Sequence, residues 1–193
     1  EAAKLLNDVT PETMMAVRAI IVRAQAQGLT IPEQSRLIRE FVGLTRRQAD
    51  AVLNFREALI AQGADAAFVA KQTDRFRDRA IRRRATLIAR TETIKAGNRG
   101  QQELWEQAAE QGFLDKARTR RVWIVTPDDR LCPYCEDMGA KYGPGRGGGV
   151  GLDEKFGAAE SQLKDGSIRT MEPQQTPPLH PGCRCAMALE FSD

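Results

Sequence analysis

The sequence has little that would mark a secreted or membrane protein. Its 193 residues contain a single histidine and four cysteines, and aromatic residues make up 6%. No apolar run approaches the roughly 20 residues of a membrane-spanning helix, and no charged segment followed by an apolar one resembles a secretory signal. We therefore expect no membrane partner, a reducing cytoplasmic origin and an aliphatic, alanine-rich helical core. Because the chain begins Glu1-Ala2-Ala3 without a methionine, we also expect a fragment or processed form of a longer protein.

All four cysteines and the histidine fall in two short segments. The first is CPYC at residues 132–135, and the second is HPGCRC at residues 180–185. Two short ligand pairs joined by a long loop are typical of one tetrahedral zinc site, because each pair chelates the ion and the loop brings the pairs together. The pattern predicts a structural zinc ion. It leaves open which four of five candidates are the ligands: Cys132, Cys135, His180, Cys183 and Cys185.

The same cysteine spacing also occurs in redox proteins. CPYC is the dithiol of glutaredoxin-like oxidoreductases, in which a helix N-terminus lowers the pKa of the first thiol. Because the glycine-rich segment 143–149 follows soon after Cys135, we expect no helix of useful length there, which disfavours this function. A disulfide is disfavoured because nothing marks the chain as secreted. A CxxC dithiol oxidoreductase remains an alternative function.

We predict a fold that is mainly α, with a helical domain at residues 1–115. Threonines with helix-capping patterns mark three helix starts, and glycines mark the matching ends; these are Thr10, Thr30 and Thr45, then Gly28, Gly43 and Gly63. The longest helical stretch is predicted from about Asp65 to Gly97. A further, separate helix is expected to end at Gly112.

Residues 116–193 are predicted to form a small α+β, zinc-stabilised module. The β-branched and aromatic run at 121–126 predicts a strand that ends in a turn at 127–129, and the alternating segment 185–191 predicts its antiparallel partner. Long loops rich in glycine and proline lie between them, at 143–151 and 173–178. Such a module buries little core, so we expect the zinc ion to supply much of its stability.

Basic residues are concentrated in the middle of the chain. Nine basic residues and two acidic residues lie between Arg75 and Arg99. Closely spaced arginines can neutralise phosphates without reading sequence, which predicts nonspecific nucleic-acid contact through Arg75, Arg79, Arg82, Arg83 and Arg84. A solvated helix face and a salt-bridged contact with an acidic partner subunit are the alternatives. The helices at 33–42 and 45–61 also allow a helix-turn-helix DNA-binding regulator.

Several segments together resemble a known family. They are, in order, IARTET at 88–93, AGNRGQ at 96–101, ELW at 103–105, RVW at 121–123, TPDD at 126–129, the Cys132/Cys135 pair, LDEKF at 152–156 and PPLHPGCRC at 177–185. This ordered set is similar to phage head morphogenesis proteins, the Mu F-like minor head proteins that also include the equivalent protein of phage SPP1. The resemblance covers roughly residue 30 to the end of the chain.

The resemblance implies a minor capsid protein without enzymatic activity. Such a protein would lie in the capsid interior of the virion, having acted in the host cytoplasm during assembly. Its implied partners are the portal and the major capsid or scaffold proteins, with packaged double-stranded DNA as a nonspecific contact. No catalytic residue is expected. Arg90 and Glu92 lie two residues apart in one helix and so point in different directions, which favours structural pairing with a neighbouring helix or the zinc module.

Overall fold

Capping residues begin three of the helices. In the computed structural model, which describes residues 10–146, 148–163 and 165–191, the helices are α1 (Pro11–Ala26), α2 (Ile31–Ile38, followed by a 3-10 turn at Arg39–Phe41) and α3 (Arg46–Ala61). Thr45 illustrates the mechanism. Its hydroxyl accepts the Gln48 amide at 3.2 Å, and the Gln48 side chain accepts the Thr45 amide at 3.0 Å. The predicted helix starts are therefore confirmed, each within one residue of its threonine.

One continuous helix, α4, spans Ala66–Glu110. This corrects the prediction of two helices separated at Gly97. The two glycines in this part of the helix, Gly97 and Gly100, each cost only about 1 kcal/mol relative to alanine, which together is less than the cost of nucleating a second helix. Side chains beyond the glycine also hold the segment in place. Gln102 donates to the Leu152 carbonyl at 2.7 Å, and Asn98 donates to the Cys185 carbonyl at 3.4 Å.

Gly97 offers a direct test of this continuity. A Cβ atom built on Gly97 meets nothing within 4 Å outside the helix itself, so we expect Gly97→Ala to raise the free energy of unfolding by about 0.5–1 kcal/mol. Urea denaturation followed by far-UV circular dichroism would measure the change. Gly112 is the matched control, because its φ of 80° is unfavourable for alanine and Gly112→Ala should destabilise. A loss of stability in Gly97→Ala would contradict the continuous helix.

Residues 10–93 belong to the first of two compact units, which divide between Thr93 and Ile94. The core of this unit is aliphatic and comes from α1, from α2 with the residues after it, and from α4; its buried members are Val17, Ile21, Ile38, Val42, Ala85, Ile88 and Ala89. Glu92 is buried beside this core, and its carboxylate lies 3.2 Å from Arg18 Nε. The pairing predicted for Glu92 with a neighbouring helix is therefore confirmed, and Arg18 of α1 is its partner.

The second unit contains the predicted antiparallel pair of strands. Strand β1 (Thr119–Ile124) pairs with β4 (Ala186–Phe191), and Ile124 lies opposite Ala186. Because β1 ends where β4 begins, the two cysteine segments meet at the same end of the sheet. A hairpin of β2 (Ala159–Gln162) and β3 (Ile168–Met171) was not predicted, although the Asp165-Gly166 pair in its turn is a known hairpin signal.

The C-terminal turns of α4 also belong to the second unit. Trp105 packs against a core that contains Trp123 and Phe156, whose rings meet edge to face at 5.0 Å. The predicted domain boundary between residues 115 and 116 stays a prediction. Among the described residues, no helix is both long and apolar enough to cross a membrane.

Candidate metal centre

Cys132 is the N-cap of a helix, α5, that spans Pro133–Tyr142. Its sulfur accepts the amide of Cys135 at 3.4 Å. This corrects the expectation that no helix of useful length follows CPYC, because the glycine-rich loop begins only after ten helical residues. Two features of the sequence could have predicted this helix: Pro133 at the first helical position and Glu136 in the first turn. The argument against a redox dithiol that rested on a missing helix is therefore wrong.

His180 brings the two cysteine segments together. Its Nε2 atom lies 3.0 Å from Cys132 Sγ and 3.3 Å from Cys135 Sγ, and Cys135 Sγ lies 3.7 Å from Cys183 Sγ. The ligand atoms form two overlapping groups, each within 4.8 Å: one contains Cys132, Cys135 and His180, and the other contains Cys135, Cys183 and Cys185. All five residues predicted from sequence are thus in one cluster, and Cys135 belongs to both groups.

The spacing of the sulfur atoms suits a tetrahedral metal ion. With zinc–sulfur bonds of about 2.3 Å, two sulfurs on one tetrahedron lie about 3.8 Å apart, close to the 3.7 Å between Cys135 and Cys183. The four cysteines are not joined by disulfides. Zinc binds preferentially to thiolates and to neutral imidazole. The donor set of this cluster therefore fits zinc.

The buried thiols of this cluster interact strongly with one another. Hydrogen bonds from Cys135 and Cys185 lower the pKa of Cys183 to about 2, while the hydrogen bond to Cys183 and burial raise the pKa of Cys135. Charge on one sulfur is therefore favoured by the protons of the neighbouring thiols, and charge on a second sulfur is disfavoured in so buried a site. A divalent cation would displace those protons and allow the neighbouring thiols to ionise.

Two further contacts suit a metal-bound cluster. His180 Nδ1 lies 3.0 Å from the Pro181 carbonyl, which fixes the proton on Nδ1 and directs Nε2 toward the sulfurs. Trp123 Nε1 is buried, and its N–H interacts with the Cys185 sulfur in the direction that favours the thiolate, while its ring packs in the same core as Cys135 and Cys185. A metal-bound thiolate is an acceptor that would suit this indole N–H.

Arg184, between two candidate ligands, is held by a carboxylate. Its two terminal nitrogens donate to Asp128 at 2.6 and 2.5 Å. The Arg184 guanidinium holds the pKa of Asp128 at about 2, so the pair is charged at neutral pH. This bidentate contact fixes the Cys183–Cys185 segment to the turn after β1. The contact between Asp128 and Arg184 was not predicted from the sequence. An acidic turn after the predicted strand, together with an arginine flanked by two cysteines, could have indicated it.

Four of the five arginines predicted to contact nucleic acid lie on the outside of α4. Arg75, Arg79, Arg82 and Arg83 are exposed, and at 100° per residue they fall within an arc of about 100°. No carboxylate forms an ion pair with them among the described residues. Arg84 is corrected: it is 2% exposed and donates to the Gly43 carbonyl at 3.2 Å, so its role is structural.

A protein-family model described as phage Mu protein F like protein matches residues 15–188. The match covers most of the chain, so the chain belongs to the phage Mu F-like family, a family of phage head morphogenesis proteins. This confirms the resemblance seen in the ordered sequence segments. Neither the curated proteins nor the solved structures contain a match.

Proposed function

We propose that this protein is a minor capsid protein that aids prohead assembly in a tailed phage or prophage, inside the head near the portal. In this proposal it is not an enzyme, and a structural zinc ion stabilises its C-terminal unit. The observation that carries the proposal is the convergence of all five soft ligands within a chain of the Mu F-like family. Portal, major capsid and scaffold proteins are the proposed partners.

The position of the cluster supports a structural role for zinc. Cys132 and Cys135 belong to the start of α5, whereas Cys183 and Cys185 immediately precede β4. Three cysteines are members of the second unit's buried core. Bonds from these residues to one ion would join the helix to the sheet, and such bonds contribute directly to folding free energy.

A second candidate function follows from the position of Cys132. As the N-cap of α5 and partly exposed, with Cys135 buried three residues later, it has the geometry of a dithiol oxidoreductase. Elemental analysis of protein purified under reducing conditions separates the candidates. One zinc per chain supports the structural site. Metal-free protein with a reversible Cys132–Cys135 disulfide would instead support the oxidoreductase.

The proposed location has its own test. An electron-microscopy map of assembled heads should show density for both units near the portal, inside the capsid shell. Quantitative mass spectrometry of purified proheads should find the protein in a few copies per particle. Purified heads that lack the protein would overturn this part of the proposal, whatever the result of the zinc analysis.

We also propose that the exposed arginines of α4 contact packaged double-stranded DNA. Residues 10–93 contain fifteen basic and nine acidic residues, a net charge of +6, whereas the whole chain carries +3. Arg75, Arg79, Arg82 and Arg83 can neutralise phosphates because they have no ion pair with a described carboxylate. Such binding would be independent of sequence and sensitive to salt.

Substitution of two of these arginines should weaken DNA binding. We expect Arg79→Ala with Arg83→Ala to reduce affinity for a random-sequence duplex and to reduce the slope of log K against log salt by about 1 to 2, measured by fluorescence anisotropy. Arg77→Ala is the control, since Arg77 already lies near Asp74 and Asp78, at 3.5 and 3.7 Å. An equal effect of the control would contradict the proposal, and a footprint at one defined site would favour the helix-turn-helix.

A further inference from the structure

Helix α1 has apolar side chains on two opposite faces. Met14, Val17, Ile21 and Ala24 are buried within the first unit. On the opposite side, residues spaced by four, three and four form a second stripe, the outer stripe, which consists of Met15, Ala19, Val22 and Ala26. All four are exposed, Met15 by 63% and Val22 by 59%. An apolar stripe at this spacing on a surface helix is typical of a helix that packs against another element.

Charged residues of opposite sign lie along one edge of the outer stripe. By helical rotation, Glu12 and Arg23 lie about 60° and 80° from Met15 on the same side. Both are exposed, and neither has an ion-pair partner among the described residues. On the other edge, Arg18 is already balanced by Glu92 at 3.2 Å. Among the described residues, therefore, only one edge of the stripe carries charges without an ion pair, one at each end of the helix.

We propose that the outer stripe is the contact surface of a homodimer in which α1 packs antiparallel against α1 of a second copy. With the two-fold axis between residues 18 and 19, Met15 of one copy faces Val22 of the other. Ala19 lies near the axis, where a small side chain allows close approach of the helices. An antiparallel two-fold axis brings the same edge of both helices together, so Glu12 of each copy meets Arg23 of the other.

A parallel pair lacks this complementarity. Its two-fold axis would place the edge with Glu12 and Arg23 against the opposite edge, which carries Arg18.

The antiparallel pair is also limited in size, because a helix of 16 residues is only about 24 Å long. It would bury less than the roughly 1,200 Å² of a standard interface. We therefore expect a weak dimer that forms at high protein concentration, as when copies gather during assembly. This inference does not rest on the proposed function or on zinc.

Analytical ultracentrifugation of the full chain over roughly a hundred-fold range of concentration tests the dimer. The mass should rise from 21.4 kDa toward twice that value. Met15→Glu should leave the protein monomeric throughout. Leu53→Glu is the matched control, because Leu53 is an apolar residue of α3 that is 53% exposed and lies outside the outer stripe. A wild-type protein that stays monomeric, or equal effects of the two variants, would overturn the proposal.

Charge exchange tests the antiparallel arrangement. Glu12→Arg alone and Arg23→Glu alone should each weaken dimerisation about fivefold, because two symmetric ion pairs become repulsive. The double variant E12R/R23E should restore wild-type dimerisation. Thermal melts of all three variants should show intact helices, since both side chains are exposed. If the double variant is weaker than either single variant, the antiparallel arrangement is wrong.

Discussion

Replacing Cys135 with serine is expected to release the proposed zinc ion and unfold the C-terminal unit. Cys135 is the one residue shared by both ligand groups, and it is 4% exposed in the core. A serine hydroxyl is a poor zinc ligand. Structural zinc contributes roughly 10–16 kcal/mol of apparent binding free energy in small zinc domains, which is comparable to the whole stability of an ordinary domain. No other single substitution in the chain should have a larger effect.

The fluorescence of the two tryptophans reports unfolding of the second unit without a contribution from residues 10–93. Trp105 and Trp123 are the only tryptophans in the chain, and both pack in the second unit. For Cys135→Ser we expect loss of zinc by elemental analysis, a red shift of tryptophan emission and loss of amide protection beyond residue 94 in hydrogen exchange. Residues 10–93 should keep their helical protection.

The remaining four ligand candidates provide the internal control. Four ligands complete a tetrahedral site, so one variant among Cys132→Ser, His180→Ala, Cys183→Ser and Cys185→Ser should retain one zinc per chain and near wild-type emission. That variant identifies the fifth residue as a non-ligand. A Cys135→Ser protein that keeps both its zinc and its folded second unit would show that the metal centre is assigned wrongly.

Local chemical signals explain what could be predicted from sequence. The starts of α1, α2 and α3 follow from capping at Thr10, Thr30 and Thr45, where the deciding hydrogen bonds lie within three residues. The members of the Cys/His cluster could be predicted because cysteine and histidine are rare in this chain and occur only in the segments that form it. The pairing of β1 with β4 followed from the β-branched run at 121–126 and the alternating segment 185–191, and it brings the two cysteine segments together.

Helix ends predicted at glycines were wrong where tertiary packing stabilises the helix beyond the glycine. Gly97 was expected to end a helix, but its cost is small and the following turns of α4 are held by contacts in the second unit. Gly139 lies inside α5, where a Cβ would come within 3.0 Å of Val125. This glycine therefore allows α5 to approach the end of β1 closely. No local pattern distinguishes a glycine that ends a helix from one that permits such packing.

Arg121 is the residue that sequence reasoning underestimated most. From sequence it was recognised only as part of a predicted strand and of the RVW segment that resembles the family, yet it is completely buried. Its guanidinium donates to the Gly151, Glu154 and Gln175 carbonyls and to the Gln102 side chain, the last at 2.7 Å. It also lies 5.2 Å from the centre of the Phe156 ring. Burial lowers its pKa, an effect that Glu106, Asp153 and Glu154 oppose, and arginine remains charged at neutral pH.

Arg121→Met is therefore expected to destabilise the second unit by at least about 3 kcal/mol. Methionine retains much of the volume but none of the donors, so several buried oxygens lose their hydrogen bonds at about 1–3 kcal/mol each. Urea denaturation monitored by tryptophan emission would measure the loss. Arg120→Met is the matched control: the neighbouring side chain points to the other face of β1 and is exposed, so its change should stay within about 0.5 kcal/mol.

Lysine at position 121 distinguishes the shape of the donor group from its charge. Arg121→Lys keeps the positive charge over Phe156, but an ammonium group cannot reach four acceptors that the planar guanidinium spans from three nitrogens. We expect Arg121→Lys to lose most of the stability that Arg121→Met loses. If lysine restores wild-type stability, the contribution of Arg121 is electrostatic. If Arg120→Met is as damaging as Arg121→Met, the hydrogen bonds of Arg121 do not hold the loops at 151–154 and 175 to β1 and α4.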